Sequence, residues 1–319
     1  MSKSSSTPMS WARLVRLPNV FTVIADVSAA FLLVAHGPEP IGRLVCVVLA
    51  GILLYWAGMI LNDVFDVEKD KHERSSRPLA AGEISIANAR IAGFVAMLGG
   101  CVLAGVSGYV ADDTYPSTWL PAAIAIVLSM AILLYNGPLK NTLLGPIAMG
   151  ACRVLSFLLG ASPLLGTVEG FEIPKYLFAI AIGMGTYIMG LTMFGSREAD
   201  ESGAGSPPLA AGTFVTLLGA IMLAFAPRLE RVPVGWHVST QMTFPILIGL
   251  VAFPVVIRAY RAVKDPTPLK IQTTMKIGIL TIIPLAASFA FLGAGQVWGL
   301  VIFALVVPAM LLSKQFHVT

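Results

Sequence analysis

Apolar residues in this chain run in long unbroken blocks, without the period-two alternation or the striped polar faces of water-soluble domains. Ten such blocks, at 18–35, 41–61, 86–110, 119–135, 143–166, 175–194, 209–226, 242–261, 271–292 and 296–312, are bounded by Gly, Pro or charged residues. A helix rises ~1.5 Å per residue, so about 20 apolar residues cross the hydrocarbon core of a bilayer. The pattern therefore predicts an all-α, multi-pass transmembrane helical bundle. A polar N-terminal segment at 1–17 precedes a single membrane domain at 18–319. The first block is followed by Gly37-Pro38-Glu39-Pro40 instead of a small-residue cleavage pattern, so it is expected to stay in the membrane as a helix.

Composition sharpens this picture. Apolar residues make up 56% of the chain and charged residues 12%, and the mean hydropathy is +0.83, outside the range of soluble globular domains. The net charge of +4 does not point to nucleic acid, because the basic residues sit in short loops between apolar blocks. Alternating the loops across a bilayer places Arg13, Arg16, Lys69, Lys71, Arg74, Arg77, Lys140, Arg197, Arg261, Lys264 and Lys270 on one side. Arg43, Lys175, Arg228 and Arg231 fall on the other. That asymmetry predicts a cytoplasmic N-terminus. Cys46, Cys101 and Cys152 lie inside apolar blocks at no ligand or disulfide spacing, so they read as small core or lipid-facing residues. Gly99, Gly100, Gly145, Gly160, Gly183 and Gly190 read as points of close helix–helix packing.

Candidate chemistry begins where the second block ends, at Asn62-Asp63-Val64-Phe65-Asp66-Val67-Glu68-Lys69-Asp70. Continued as one helix, the spacing puts Asp63, Asp66 and Asp70 on one face, with Asn62 four residues before Asp66. Carboxylates at a helix C-terminus oppose the macrodipole and need a cation. Hard oxygen donors of this kind suit Mg²⁺, which shares its coordination with waters and substrate phosphates. Two further ionisable residues lie inside apolar blocks. Asp26 is the acid of the first block, and Arg153 lies well inside the fifth; each must face a polar cavity or a partner. Asp26 either contacts an acceptor substrate or pairs with an internal Arg.

The acidic run continues to Arg77-Pro78-Leu79-Ala80-Ala81-Gly82, and here the chain resembles the UbiA superfamily of intramembrane prenyltransferases. That family's first signature is an Asn-Asp-x-x-Asp-x-x-x-Asp run followed by Arg-Pro-Leu-x-x-Gly. Arg13-Leu14-Val15-Arg16-Leu17-Pro18-Asn19 is similar to the family's N-terminal motif, and Tyr135-Asn136-Gly137-Pro138-Leu139-Lys140 to its Tyr-x-x-x-x-Lys segment. The resemblance covers nearly the whole chain and implies a nine-helix bundle, with the block at 296–312 as an additional C-terminal span. It implies transfer of an isoprenoid group from an allylic prenyl diphosphate to an aromatic or other lipophilic acceptor, with Mg²⁺ as cofactor. Asp63, Asp66, Asp70 and Lys140 are then the expected catalytic groups, and Asn62 joins the three aspartates as a metal ligand. Arg16, Asn19, Asp26, Arg77, Tyr135, Arg153 and Arg197 are the expected substrate contacts. Tyr187, like Tyr135, could also shield a carbocation, although aromatic residues are common in any membrane protein. Partners are the two substrates and the bilayer, with a homo-oligomer or proteins of a shared biosynthetic cluster left open.

The second acidic loop departs from the family. Gly195-Ser196-Arg197-Glu198-Ala199-Asp200-Glu201-Ser202-Gly203-Ala204 stands where Asp-x-x-Asp-x-x-Gly-Asp is usual. Aligning Gly203 matches Asp200 to the middle acid, while Arg197 and Ala204 replace the outer two. Glu198, Asp200 and Glu201 are the metal ligands this loop could offer. The departure keeps two rival readings in view: a transporter or exporter of a lipophilic metabolite on the same fold, and a relative that cyclises its own prenyl chain. The two helix–acidic loop–helix units also suggest a distant internal repeat.

Overall fold

The computed structural model describes residues 7–195, 207–230 and 234–316. Ten segments among them are long and apolar enough to cross a membrane, and the chain is an integral multi-pass membrane protein. The spans are built from helices α1 (Thr7–Leu14), α2 (Val20–Ala35), α3 (Ile41–Phe65), α4 (Val67–Glu73), α5 (Ile86–Tyr109), α6 (Leu120–Leu134), α7 (Gly145–Ala161), α8 (Lys175–Gly195), α9 (Pro207–Phe225), α10 (Thr243–Lys264), α11 (Pro268–Leu280), α12 (Ile282–Ala294), α13 (Gln296–Ala304) and α14 (Val306–Phe316). Helices α1 and α4 are short and do not span. One small hairpin, β1 (Gly166–Thr167) against β2 (Gly170–Phe171), interrupts the helical architecture between α7 and α8.

Proline decides where several spans break. A proline lacks an N–H, and its ring collides with the carbonyl four residues earlier. Pro284, Pro308 and Pro138 stand four residues after Leu280, Ala304 and Leu134, the last residues of α11, α13 and α6. The ninth and tenth apolar blocks are therefore each two helices in line. The fourth passes into a wide π-type turn at Tyr135–Leu139.

One expectation is corrected. The acidic run is not one continuous helix: α3 stops at Phe65 and α4 starts at Val67, with Asp66 at the joint. The hydrogen bonds Asp66 N–Asn62 O (3.0 Å) and Asp70 N–Asp66 O (2.8 Å) keep the path nearly helical, so the acids stay close. The stretch before the first span contributes α1. Helix α1 buries Leu14 in a small core with Ile60, Val67, Leu79, Ile84 and Ala89.

Lipid offers no hydrophobic drive between helices, so contact depends on shape. Helices α8 and α9 meet glycine to backbone. A Cβ on Gly190 would lie 2.3 Å from the Thr216 nitrogen, and one on Gly212 would lie 2.5 Å from the Phe194 nitrogen. Helix α2 is the most enclosed span, packed by α3, α7 and α12. The last span is the least buried, with α13 against α12 and α14 beside Leu17–Asn19.

Candidate active site

The Arg-Pro-Leu-x-x-Gly segment folds as a compact turn that holds Arg77 over the acids. Leu79 anchors it in the small core. Gly82 takes φ +73°, a left-handed conformation that favours glycine. The Glu83 amide closes the turn on the Pro78 carbonyl at 2.9 Å. From this platform Arg77 Nη1 donates to Asp70 Oδ2 at 2.7 Å and to Asp63 Oδ1 at 3.2 Å. Arg16 approaches the same Asp63 oxygen at 3.6 Å. Arg16 itself has φ 47°, a strained setting for a non-glycine residue of the kind found at functional sites. The Tyr55 hydroxyl donates to the Arg16 carbonyl at 3.3 Å.

The π-type turn after α6 aims Lys140 from the other side. Its ammonium donates to Asn62 Oδ1 at 2.7 Å and pairs with Asp66. The four residues of the acidic run thus divide between two cations, Arg77 on Asp63 and Asp70, and Lys140 on Asn62 and Asp66. Asn62, Asp63 and Asp70 are buried, so their charges and dipoles lean on these partners.

Behind the cations lies a cavity of about 1510 Å³, bounded by α2, α3, α6, α7, α8, α9, α11 and α12. Arg16, Asn19, Tyr135, Lys140 and Arg153 line it, together with apolar residues such as Leu54, Ile132, Ile188 and Ile279. Of the cations that meet the acids, Lys140 and Arg16 line this cavity. Well inside the bundle, Arg153 Nη1 donates to Asp26 Oδ2 at 2.9 Å. Asp26 thus pairs with an internal arginine.

Oxygen donors of Asn62, Asp63, Asp66 and Asp70 fit Mg²⁺ in chemical type. Among the described residues, no three His, Cys, Asp or Glu side chains converge as a metal cage. Arg197, Glu198, Asp200 and Glu201 lie outside the described residues. Tyr187 is fully buried and donates to the Gly278 carbonyl at 3.1 Å, so it is a core residue. Sequence reasoning passed over Tyr55 and Asn136, both on the cavity wall. Asn136 donates to the Gly58 carbonyl at 3.1 Å, tying the lysine-bearing turn to α3. Tyr55 stands seven residues before Asn62, two turns away on the same face, and that period was the available signal.

A family model described as the UbiA prenyltransferase family matches residues 23–277. The chain belongs to the UbiA prenyltransferase family. A digeranylgeranylglyceryl phosphate synthase from Methanoculleus marisnigri is 33% identical over 143 residues, 44% of this chain and 47% of that one. A 4-hydroxybenzoate octaprenyltransferase from Francisella tularensis subsp. novicida is 34% identical over 79 residues, 24% of this chain and 28% of that one. The chain spans about half the length, or less, of these relatives. In three dimensions, a UbiA homologue from Aeropyrum pernix K1 superposes with TM-score 0.64 at 15% identity, over 85% of this chain and 96% of that one. A UbiA homologue from Archaeoglobus fulgidus bound to GPP and Mg²⁺ gives 0.59 at 14% identity, over 92% and 99%. At such identities these two likenesses speak for the fold, and UbiA membership rests on the family match.

Proposed function

We propose that this UbiA-family chain transfers an isoprenoid group from an allylic prenyl diphosphate to an aromatic or other lipophilic acceptor, with Mg²⁺-assisted release of diphosphate. One observation carries the reading: carboxylates cross-linked by Arg77 and Lys140 stand at the mouth of a largely apolar cavity large enough for a prenyl chain. The relatives' names and the GPP- and Mg²⁺-bound homologue support it.

Asn62, Asp63, Asp66 and Asp70 would hold the metal by oxygen. Bound there, Mg²⁺ supplies neutralisation of the diphosphate and of the charge that grows as its bond to carbon breaks. Lys140 and Arg77 change partners from carboxylate to phosphate oxygen and steady the leaving group. The Tyr135 ring borders the path of the allylic cation and can stabilise it through its face. Apolar walls keep water from quenching that cation, so a nucleophilic acceptor carbon captures it and then loses a proton. Arg16 and Asn19 complete the polar mouth. In the second loop Asp200 matches the family's middle acid, Glu198 and Glu201 would add metal-binding oxygens from neighbouring positions, and Arg197 would contact a phosphate oxygen directly. The acidic end of the bundle faces the cytoplasm, by the excess of basic residues there.

The altered run at 195–205 favours one second reading, transport of a lipophilic metabolite on a UbiA scaffold. Purified protein in lipid, given labelled geranyl diphosphate, Mg²⁺ and a panel of phenolic and lipid-alcohol acceptors, separates the two. The expected result is diphosphate release that depends on a divalent ion and stops with EDTA, together with a prenylated acceptor. Acceptor flux without diphosphate release refutes the transferase reading, and a cyclised product formed without acceptor assigns the chain to self-alkylation.

A further inference from the structure

The Asp26–Arg153 pair forms a second polar point in the cavity, separate from the acidic mouth. Asp26 lies seven residues beyond Asn19 on α2, so it stands about 10 Å deeper along the helix axis. Its side chain is completely buried, while Arg153, 14% exposed, reaches the cavity wall beside Thr22 and Ser156. Only Nη1 of the guanidinium is committed to Asp26, which leaves further N–H groups of a five-donor fork at the wall. Asp26 Oδ1 makes no hydrogen bond of normal geometry. Leu54, Ile188 and Ile282 are among the apolar residues of the same cavity.

We propose that this pair is the subsite for the acceptor's polar group, and that it selects a neutral, hydroxyl-bearing acceptor over an anionic one. The inference rests on the transferase reading of the cavity. A lone arginine in an apolar cavity would attract an anion strongly. Here the Asp26 carboxylate cancels most of the guanidinium's field at the wall, so an anion would give up its hydration for little return. A hydroxyl pays a far smaller desolvation cost; it can accept from Arg153 and donate to Ser156 or the carboxyl. Asp26 is then a positioning residue that sets both the direction and the net charge of Arg153, and Arg153 makes the contact.

The test is binding, which needs no turnover. Wild-type protein in lipid nanodiscs is titrated with two matched pairs: 4-hydroxybenzyl alcohol against 4-hydroxybenzoate, and a hexadecylglycerol ether against its phosphate. The neutral member of each pair is expected to bind at least tenfold more tightly. Asp26→Asn should tighten the anion at least tenfold and so shrink the ratio between the two members of each pair by that factor. The double variant Asp26→Asn/Arg153→Gln, which strands no charge if the single variant fails to fold, should lose at least tenfold in affinity for the alcohols. It should keep its thermal stabilisation by geranyl diphosphate with Mg²⁺. Equal or tighter binding of the anions by wild type, no binding of either pair, or a ratio unmoved by Asp26→Asn overturns the proposal. A chain that prefers the alcohols but releases no diphosphate keeps the subsite and refutes only the transferase reading.

Discussion

The two ends of the bundle each hold buried charge, and they satisfy it in opposite ways. At the end away from the acids, Arg43 is fully buried in a cage of backbone carbonyls. It donates to Val110 (3.0 Å), Pro116 (3.1 Å), Pro163 (2.6 Å) and Tyr115 (2.7 Å). Burial raises the pKa of the nearby Tyr115 phenol above its ordinary value, and the Asp112 carboxylate adds to the rise. The phenol therefore stays neutral and is no counter-ion to Arg43. Four carbonyls fixed by two connecting segments leave that cation nowhere else to go. At the acidic end, Arg77 and Lys140 hold side-chain oxygens and keep 17% and 24% exposure, and Lys140 lines a cavity. A cation caged by backbone is a structural rivet. One that bridges carboxylates at a cavity mouth can trade partners with a ligand.

Predictions that break this comparison run from chemistry to packing. Asp66→Asn keeps an oxygen and the local fold but removes a charge facing Lys140, and it should lower turnover with geranyl diphosphate about 10²–10³-fold. Turnover within threefold of wild type would disprove the metal assignment. Next, Arg43→Met strips four carbonyls of their donor at about 1–3 kcal/mol each, less what relaxation and water recover, so stability should drop by at least about 3 kcal/mol. Arg77→Met should lower stability less, and millimolar Mg²⁺ should restore its melting temperature by replacing the lost cation between Asp63 and Asp70. If Mg²⁺ rescues both variants equally, or neither, the two ends do not differ as described. The smallest effect is expected where α8 and α9 pack together. Gly212→Leu would force α9 from α8 at about 1–3 kcal/mol, while transfer per folded molecule changes less than tenfold.

The number of spans, their near-boundaries and the chemical type of the site were legible in the sequence, because bilayer thickness and the 3.6-residue period act locally. The Asn62–Asp70 run could be named for the same reason, because carboxylates at that spacing are unusual at a helix end, whereas Arg77 and Lys140 were named through the resemblance to the UbiA motifs. Arg43 was misjudged as an ordinary loop cation at a membrane boundary. Its four partners come from residues 67 to 120 positions away, and no local pattern encodes that.

What the sequence determined by itself was the solvent, the secondary structure and the inventory of charged groups, each set by neighbours along the chain. Which charge meets which was decided by tertiary packing alone. Asp26 and Arg153 are 127 residues apart, and Asn62 and Lys140 are 78 apart. Their pairing depends on how glycine-lined helices settle against one another, because in lipid the fit of surfaces, more than hydrophobicity, chooses the neighbours.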